Sequence, residues 1–198
     1  MEKYSSGIAA ESFWFVEFRQ IIQLRYDGKS WDDIKDLCIN DNLLGVTKEY
    51  RAKRIYGNLK RRVDALGEEL IAIFMGADVP TQKIINIFSM AKINRLFFEF
   101  LYELYREKII LGVTELEDSD INIFLKNKQD QHEDISKWTD VTMKRLRSTY
   151  VNFLRDAGLL TVIDKQKTIT PPILDIVLEN YLKDNGENQM LKAIRGLD

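Results

Sequence analysis

Arg51, Arg54, Asn58 and Arg61 follow one another at spacings of three, four and three, the rhythm of one face of an α-helix. Guanidinium groups in such a row neutralise phosphates and release their counterions, and Arg and Asn can also donate to base edges. The stretch that holds them, KEYRAKRIYGNLKRR over 48–62, carries seven Lys or Arg and one Glu, a net charge of +6 in a chain whose total is −2. The remaining residues therefore sum to about −8. That acidic remainder repels a polyanion everywhere except at the cationic face, which keeps non-specific affinity low. On the same helix a 100° projection gathers Ala52, Ile55, Tyr56, Leu59, Val63 and Leu66 into a packing face, with Lys53 and Lys60 flanking it.

A second segment sorts its residues in the same way. In TDVTMKRLRSTYVNFLRDAGLL (139–160), Met143, Leu146, Tyr150, Phe153, Leu154 and Ala157 project to one side, and Lys144, Arg145, Ser148, Asn152 and Arg155 to the other. The stretch that follows, TVIDKQKTITPP, alternates β-branched and polar residues like a short hairpin closed by Pro171 and Pro172, and it carries Lys165 and Lys167. Both lysines are candidate phosphate contacts.

Other chemistries find little support. None of the ten Gly has the spacing of a phosphate-binding loop. With one Cys and one His the chain cannot assemble a Cys/His zinc site or an internal disulfide. Cys38 falls at an apolar helical position and reads as a small buried hydrophobe. His132 lies in a polar turn, HEDISKW, and reads as exposed. Glu115, Glu117, Asp118 and Asp120 could hold magnesium in a nuclease, but Asp118 and Ser119 also suit the start of a helix. No cofactor, metal or catalytic set is expected, and the chain reads as a non-enzyme.

The elements that must position these faces are helices. Three Pro, ten Gly, 45% hydrophobic and 30% charged residues favour long helices with short connections. Helices are expected over Ala10–Tyr26, where Phe13, Phe15 or Val16, Ile21, Ile22 and Leu24 recur at helical spacing, and over 31–39, capped by Ser30 with Asp33 three residues on. Further helices are expected over 47–66, 68–76, 80–92, 93–111, 118–131, 140–157, 173–184 and 187–195. The most apolar stretches are interrupted by carboxylates and fall short of the ~20 residues that span a bilayer. The N-terminus lacks the basic start and unbroken apolar run of a signal peptide. A cytoplasmic protein with no membrane partner and no small-molecule substrate is the expectation, functioning as a monomer.

Each cationic helix follows a shorter helix across a turn, 31–39 before 47–66 and 118–131 before 139–157, which is the order of a helix-turn-helix unit. In the second, the hairpin after the long helix resembles the wing of a winged helix, a fold whose second helix enters the major groove while the wing reaches a phosphate. The expected class is all-α: a compact multi-helix protein with two helix-turn-helix-like units, the second winged. The expected division is 1–112, an N-terminal helical domain, and 113–198, a winged-helix-like domain, packed together.

Three stretches carry a family resemblance: YSSGIAAESFWFVEFRQIIQLRYDGKSWDDIKDLCINDNLL (4–44), FFEFLYELYREKIILGVTELEDSDINIFLKNKQ (97–129) and WTDVTMKRLRSTYVNFLRDAGLL (138–160). Collinear over about 4–178, with YREKIILGVTELEDSDINIFL the most specific part, the chain resembles the BrxA family of BREX (bacteriophage exclusion) defence systems. The resemblance implies a helical, non-catalytic protein that binds DNA through helix-turn-helix elements and acts beside a methyltransferase, an ATPase and a phosphatase-like component. The expected partner is double-stranded DNA, held at two places by the two units of a monomer. A helical scaffold that joins other BREX components without touching DNA is the alternative.

Overall fold

In the computed structural model, which describes residues 3–197, the chain's contacts group into two units, Trp14–Ser89 and the combination of Met1–Phe13 with Met90–Asp198. Position 112/113 lies inside the latter group. The cause is visible in its core, where Phe97 and Phe100 pack on Phe124, Tyr150 and Phe153.

Trp14–Ser89 begins with α1 (Phe15–Tyr26), α2 (Trp31–Ile39), α3 (Glu49–Asp64) and α4 (Gly67–Gly76). The first helix starts later than its apolar pattern suggests, because Trp14 takes a left-handed backbone (φ 46°) that ends the helical path on its N-terminal side. α2 starts where expected, with a reciprocal cap: Asp33 N–H donates to Ser30 Oγ at 3.1 Å, and Ser30 N–H donates to Asp33 Oδ2 at 3.2 Å. α1 packs on α2, α3 and α4. Phe18, Ile21 and Ile22 meet Ile34, Cys38, Leu59 and Phe74 in a core from which water is excluded. Burial pushes the Cys38 thiol up to about 11, so it stays a protonated packing group. The division between the units falls within α5 (Val79–Ile93).

In the other unit a short 3₁₀ turn, Gly7–Ala10, packs against the long helix α10 (Asp140–Ala157). The expected 93–111 helix is interrupted twice. Asn94 leaves the helical region and caps α6 (Arg95–Glu99), its Oδ1 accepting from Phe97 N–H at 3.0 Å. Phe100–Tyr105 is then wound as a π-helix before α7 (Arg106–Ile110). Gly112, at φ 66°, turns the chain into the 114–116 segment. α8 (Asp118–Gln131) and the four-residue helix α9 (Glu133–Ser136) lead to α10, then to strands β1 (Leu160–Ile163) and β2 (Gln166–Ile169). α11 (Ile176–Asp184) and α12 (Asn188–Arg195) complete the chain.

The hairpin pairs Leu160 with Ile169 and Ile163 with Gln166 in antiparallel register. Beyond it, Leu116 N–H donates to Lys167 O at 2.9 Å and Ile169 N–H to Thr114 O at 2.8 Å, bridging Glu115 to Thr168. The segment before α8 thus adds a third, antiparallel stretch on the free side of β2. Phe97, Phe100, Phe124, Tyr150 and Phe153 form the centre of this unit at ring distances of 4.8–5.8 Å. The class is therefore mostly helical with one small hairpin, as composition and spacing lead one to expect. Among the described residues, no helix is long and apolar enough to cross a membrane.

Candidate nucleic-acid interface

All six residues of the predicted packing face are buried, five on α3 and Leu66 just beyond its end. Arg51 and Arg54 stand exposed, with no ion pair among the described residues. The other candidates on this helix are already engaged. Lys53 pairs with Glu49 at 2.5 Å and Lys60 with Asp64 at 2.5 Å, while Arg61 Nη2 donates to Asn58 Oδ1 at 2.6 Å. The Lys60 ammonium also sits 4.6 Å from the centre of the Trp31 indole, which Arg25 approaches to 4.9 Å. Tyr56 Oη donates to Trp31 O at 2.9 Å, tying the start of α2 to the middle of α3.

Arg62 was missed by the two-face projection. It is the one cation of the 48–62 run that is fully buried, and its guanidinium lies 5.3 Å from the Trp14 ring. The signal was its spacing, three residues after Leu59 and four before Leu66, which places it at the border of the apolar face.

On α10 the predicted sorting also appears. Leu146, Tyr150, Phe153, Leu154 and Ala157 are buried and Met143 is half-buried, while Lys144, Arg145, Ser148, Asn152 and Arg155 are exposed. Thr139 caps the helix, accepting from Thr142 N–H at 3.3 Å. Lys144 and Arg145 make no ion pair among the described residues. Ser148 Oγ donates to Lys144 O at 3.1 Å, and Arg155 pairs with Asp156 at 2.9 Å.

Between α8 and α10 runs a groove of about 470 Å³ whose lining includes Lys126, Lys144 and Arg147 together with Asp140. Lys126, which pairs with Asp130 at 3.0 Å, comes from α8 and is a cation that the projection of α10 alone could not connect to this face. Arg147 ties α10 to α8 by donating to Asn122 Oδ1 at 3.1 Å and approaching Asp118 at 3.7 Å.

The two wing lysines differ. Lys165 is exposed at the tip of a two-residue turn, with Asp164 at φ 48° and Lys165 at φ 74°. Lys167 instead places its ammonium 2.9 Å from Asp118, with its side chain only 16% exposed. That hydrogen bond holds the Asp118 carboxyl below its ordinary value. Asp118 therefore fastens the hairpin and α10 to the start of α8.

Asp120 is likewise engaged: Lys108 lies 2.6 Å away, and the carboxylate accepts from Glu117 N–H at 2.8 Å. Among the described residues no group of three or more His, Cys, Asp or Glu could hold a metal ion. His132 is half-buried rather than exposed, because its ring packs 4.8 Å from that of Tyr4.

The family model described as BrxA matches residues 2–186 of the chain. The chain belongs to the BrxA family. A protein of Bacillus cereus (strain H3081.97) described as "BREX protein BrxA" is 32% identical over 193 residues, covering 98% of this chain and 96% of the relative. The BrxA-family fold described above is shared with a crystal structure of an uncharacterized protein from Magnetospirillum magneticum. The two align with a TM-score of 0.82 over 99% of this chain and 100% of that one, at 19% identity.

Proposed function

We propose that this BrxA-family chain is a non-catalytic, double-stranded-DNA-binding component of a bacterial BREX phage-defence system, acting in the cytoplasm. The observation that carries the proposal is the order of elements in the unit containing α10. A helical run over 95–110, the 114–116 segment, α8, α10 and the β1–β2 hairpin follow one another, with the 114–116 segment paired to β2. With α9 as the turn between α8 and α10, that order resembles a winged helix, and on this reading α10 is the helix offered to the major groove. Its outward face carries Lys144 and Arg145, and the wing tip carries Lys165. The helix-turn-helix-like order of α2 and α3, with Arg51 and Arg54 exposed, supplies the second cationic face.

The test is titration of a fluorescent duplex at several salt concentrations, comparing the wild type with Arg51→Glu/Arg54→Glu and Lys144→Glu/Arg145→Glu, each checked for helical content. The expected result is binding that weakens with salt at about 0.9 logarithmic units per neutralised phosphate, reduced in both variants. Absence of binding even at low salt would sink the proposal and favour a scaffold that joins other BREX components. Magnesium-dependent cleavage of the duplex would overturn the non-catalytic part.

A further inference from the structure

α8 separates two grooves that differ in their charges. On one side lies the α8/α10 groove, where Lys126, Lys144 and Arg147 outnumber Asp140. On the other, between α8 and the π-helix with α7, a groove of about 400 Å³ is lined by Glu103, Leu104, Glu107, Asp120, Ile123 and Phe124. Leu104 and Phe124 contribute apolar lining, and Ile123 stands 61% exposed beside them. An isoleucine this exposed has no role in the core, and one flanked by apolar lining gains from being covered.

The lining charges all have one sign. Lys128 pairs with Glu103 and Lys108 with Asp120, but the lysine side chains are only 8% and 17% exposed. The carboxylates, at 46% and 24%, are the partners that face solvent. Glu107 is exposed and has no cation partner among the described residues. A groove with an apolar strip at Leu104, Ile123 and Phe124 and carboxylates beside it complements a helix that carries Leu- or Ile-type side chains on one stripe and Lys or Arg next to them. The same rim repels a DNA backbone.

We infer that the groove between α8 and the π-helix/α7 run is a docking surface for a Lys/Arg-rich amphipathic segment of a partner protein. Its chemistry is independent of the DNA-facing residues. A partner seated there approaches α8 from the side away from Lys126 and Lys144.

The experiment replaces Ile123 with the photo-crosslinker benzoylphenylalanine in the full chain, co-expressed with the other components of its defence system. A matched chain carries the crosslinker at Ile163 in the hairpin. The expected result is a crosslink from position 123 to a basic amphipathic segment of another protein. Co-purification of that protein should fall about tenfold or more in Ile123→Arg and in Glu107→Lys, with duplex affinity unchanged. Three results would overturn the inference: a crosslink to an acidic segment, to DNA or to a second copy of this chain; no crosslink at all; or co-purification insensitive to both variants. The crosslinker at position 163 reports on DNA separately, so failure of the docking surface and failure of the DNA-binding proposal are distinguishable.

Discussion

At the scale of single residues, the chain spends several of its charges on structure. Glu99 is the clearest case. Its carboxylate accepts from Tyr4 Oη at 2.9 Å and pairs with Lys128 and Arg95, both at 2.7 Å. Burial pushes its carboxyl up, but the hydrogen bonds from Lys128, Arg95 and Tyr4 outweigh that and hold it below the ordinary 4.5. A depressed folded-state value means that the unfolded chain binds the proton more readily. The contribution is therefore complete above 4.5 and is lost as pH falls through the folded value. Glu99→Gln leaves the buried Lys128 ammonium with Glu103 alone and should cost about 1.5–3 kcal/mol at neutral pH through weakened charge-assisted hydrogen bonds. Urea unfolding of both proteins from neutral pH downward checks this, and the gap between them should narrow below 4.5. Only the Arg95–Glu99 pair, four residues apart, has a local spacing; Tyr4 and Lys128 reach Glu99 from far along the chain. Only α6 and the π-helix bring residues 95–103 near one another along the chain.

At the scale of elements, local spacing carried much further. α2, α8 and α10 begin and end where capping residues and apolar periodicity place them. The differences have local causes: the left-handed Trp14, the cap at Asn94, and a polar turn after His132 that winds into α9. The β1–β2 hairpin was legible from its alternation, but its strain was not. Its turn needs φ > 0 at both central positions, and the second is Lys165, not the Gly that suits such a turn. Lys165→Gly should raise stability by about 0.5–1 kcal/mol by relieving that backbone, read as a higher urea midpoint. If Lys165 meets a phosphate, the same variant binds duplex DNA more weakly while being more stable. A stability gain with unchanged affinity would remove Lys165 from the interface.

At the scale of the whole molecule, the relevant quantity is how 29 cations and 31 acids are distributed. A net charge of −2 describes a protein that DNA should avoid, yet the cations assigned to the interface stand exposed on α3 and α10. Because Lys53 and Lys60 are held by acids one turn away and Lys167 by Asp118, the unpaired Arg51, Arg54, Lys144 and Arg145 should dominate the salt dependence. Reversing one of these pairs should lower the slope by about 0.9 for each phosphate contact removed. Lys53→Ala and Lys60→Ala should change it much less. Equal slopes in all variants would place the contacts elsewhere.

The sequence alone determined the helical class, most element boundaries, the face of α3 and α10 that packs, and the family. The first three rest on interactions within a few residues along the chain, namely caps, periodicity and turn chemistry; the family rests on the resemblance of three long stretches. The tertiary structure decided which charges remain available. Arg62 is buried against Trp14, Lys167 is fastened to Asp118, and Arg147 is turned toward α8. It also joined residues 114–116 to the hairpin and opened an acidic groove beside Ile123. These outcomes depend on partners far apart in the chain, brought together only when the apolar faces are buried, and no spacing rule along one helix can supply them.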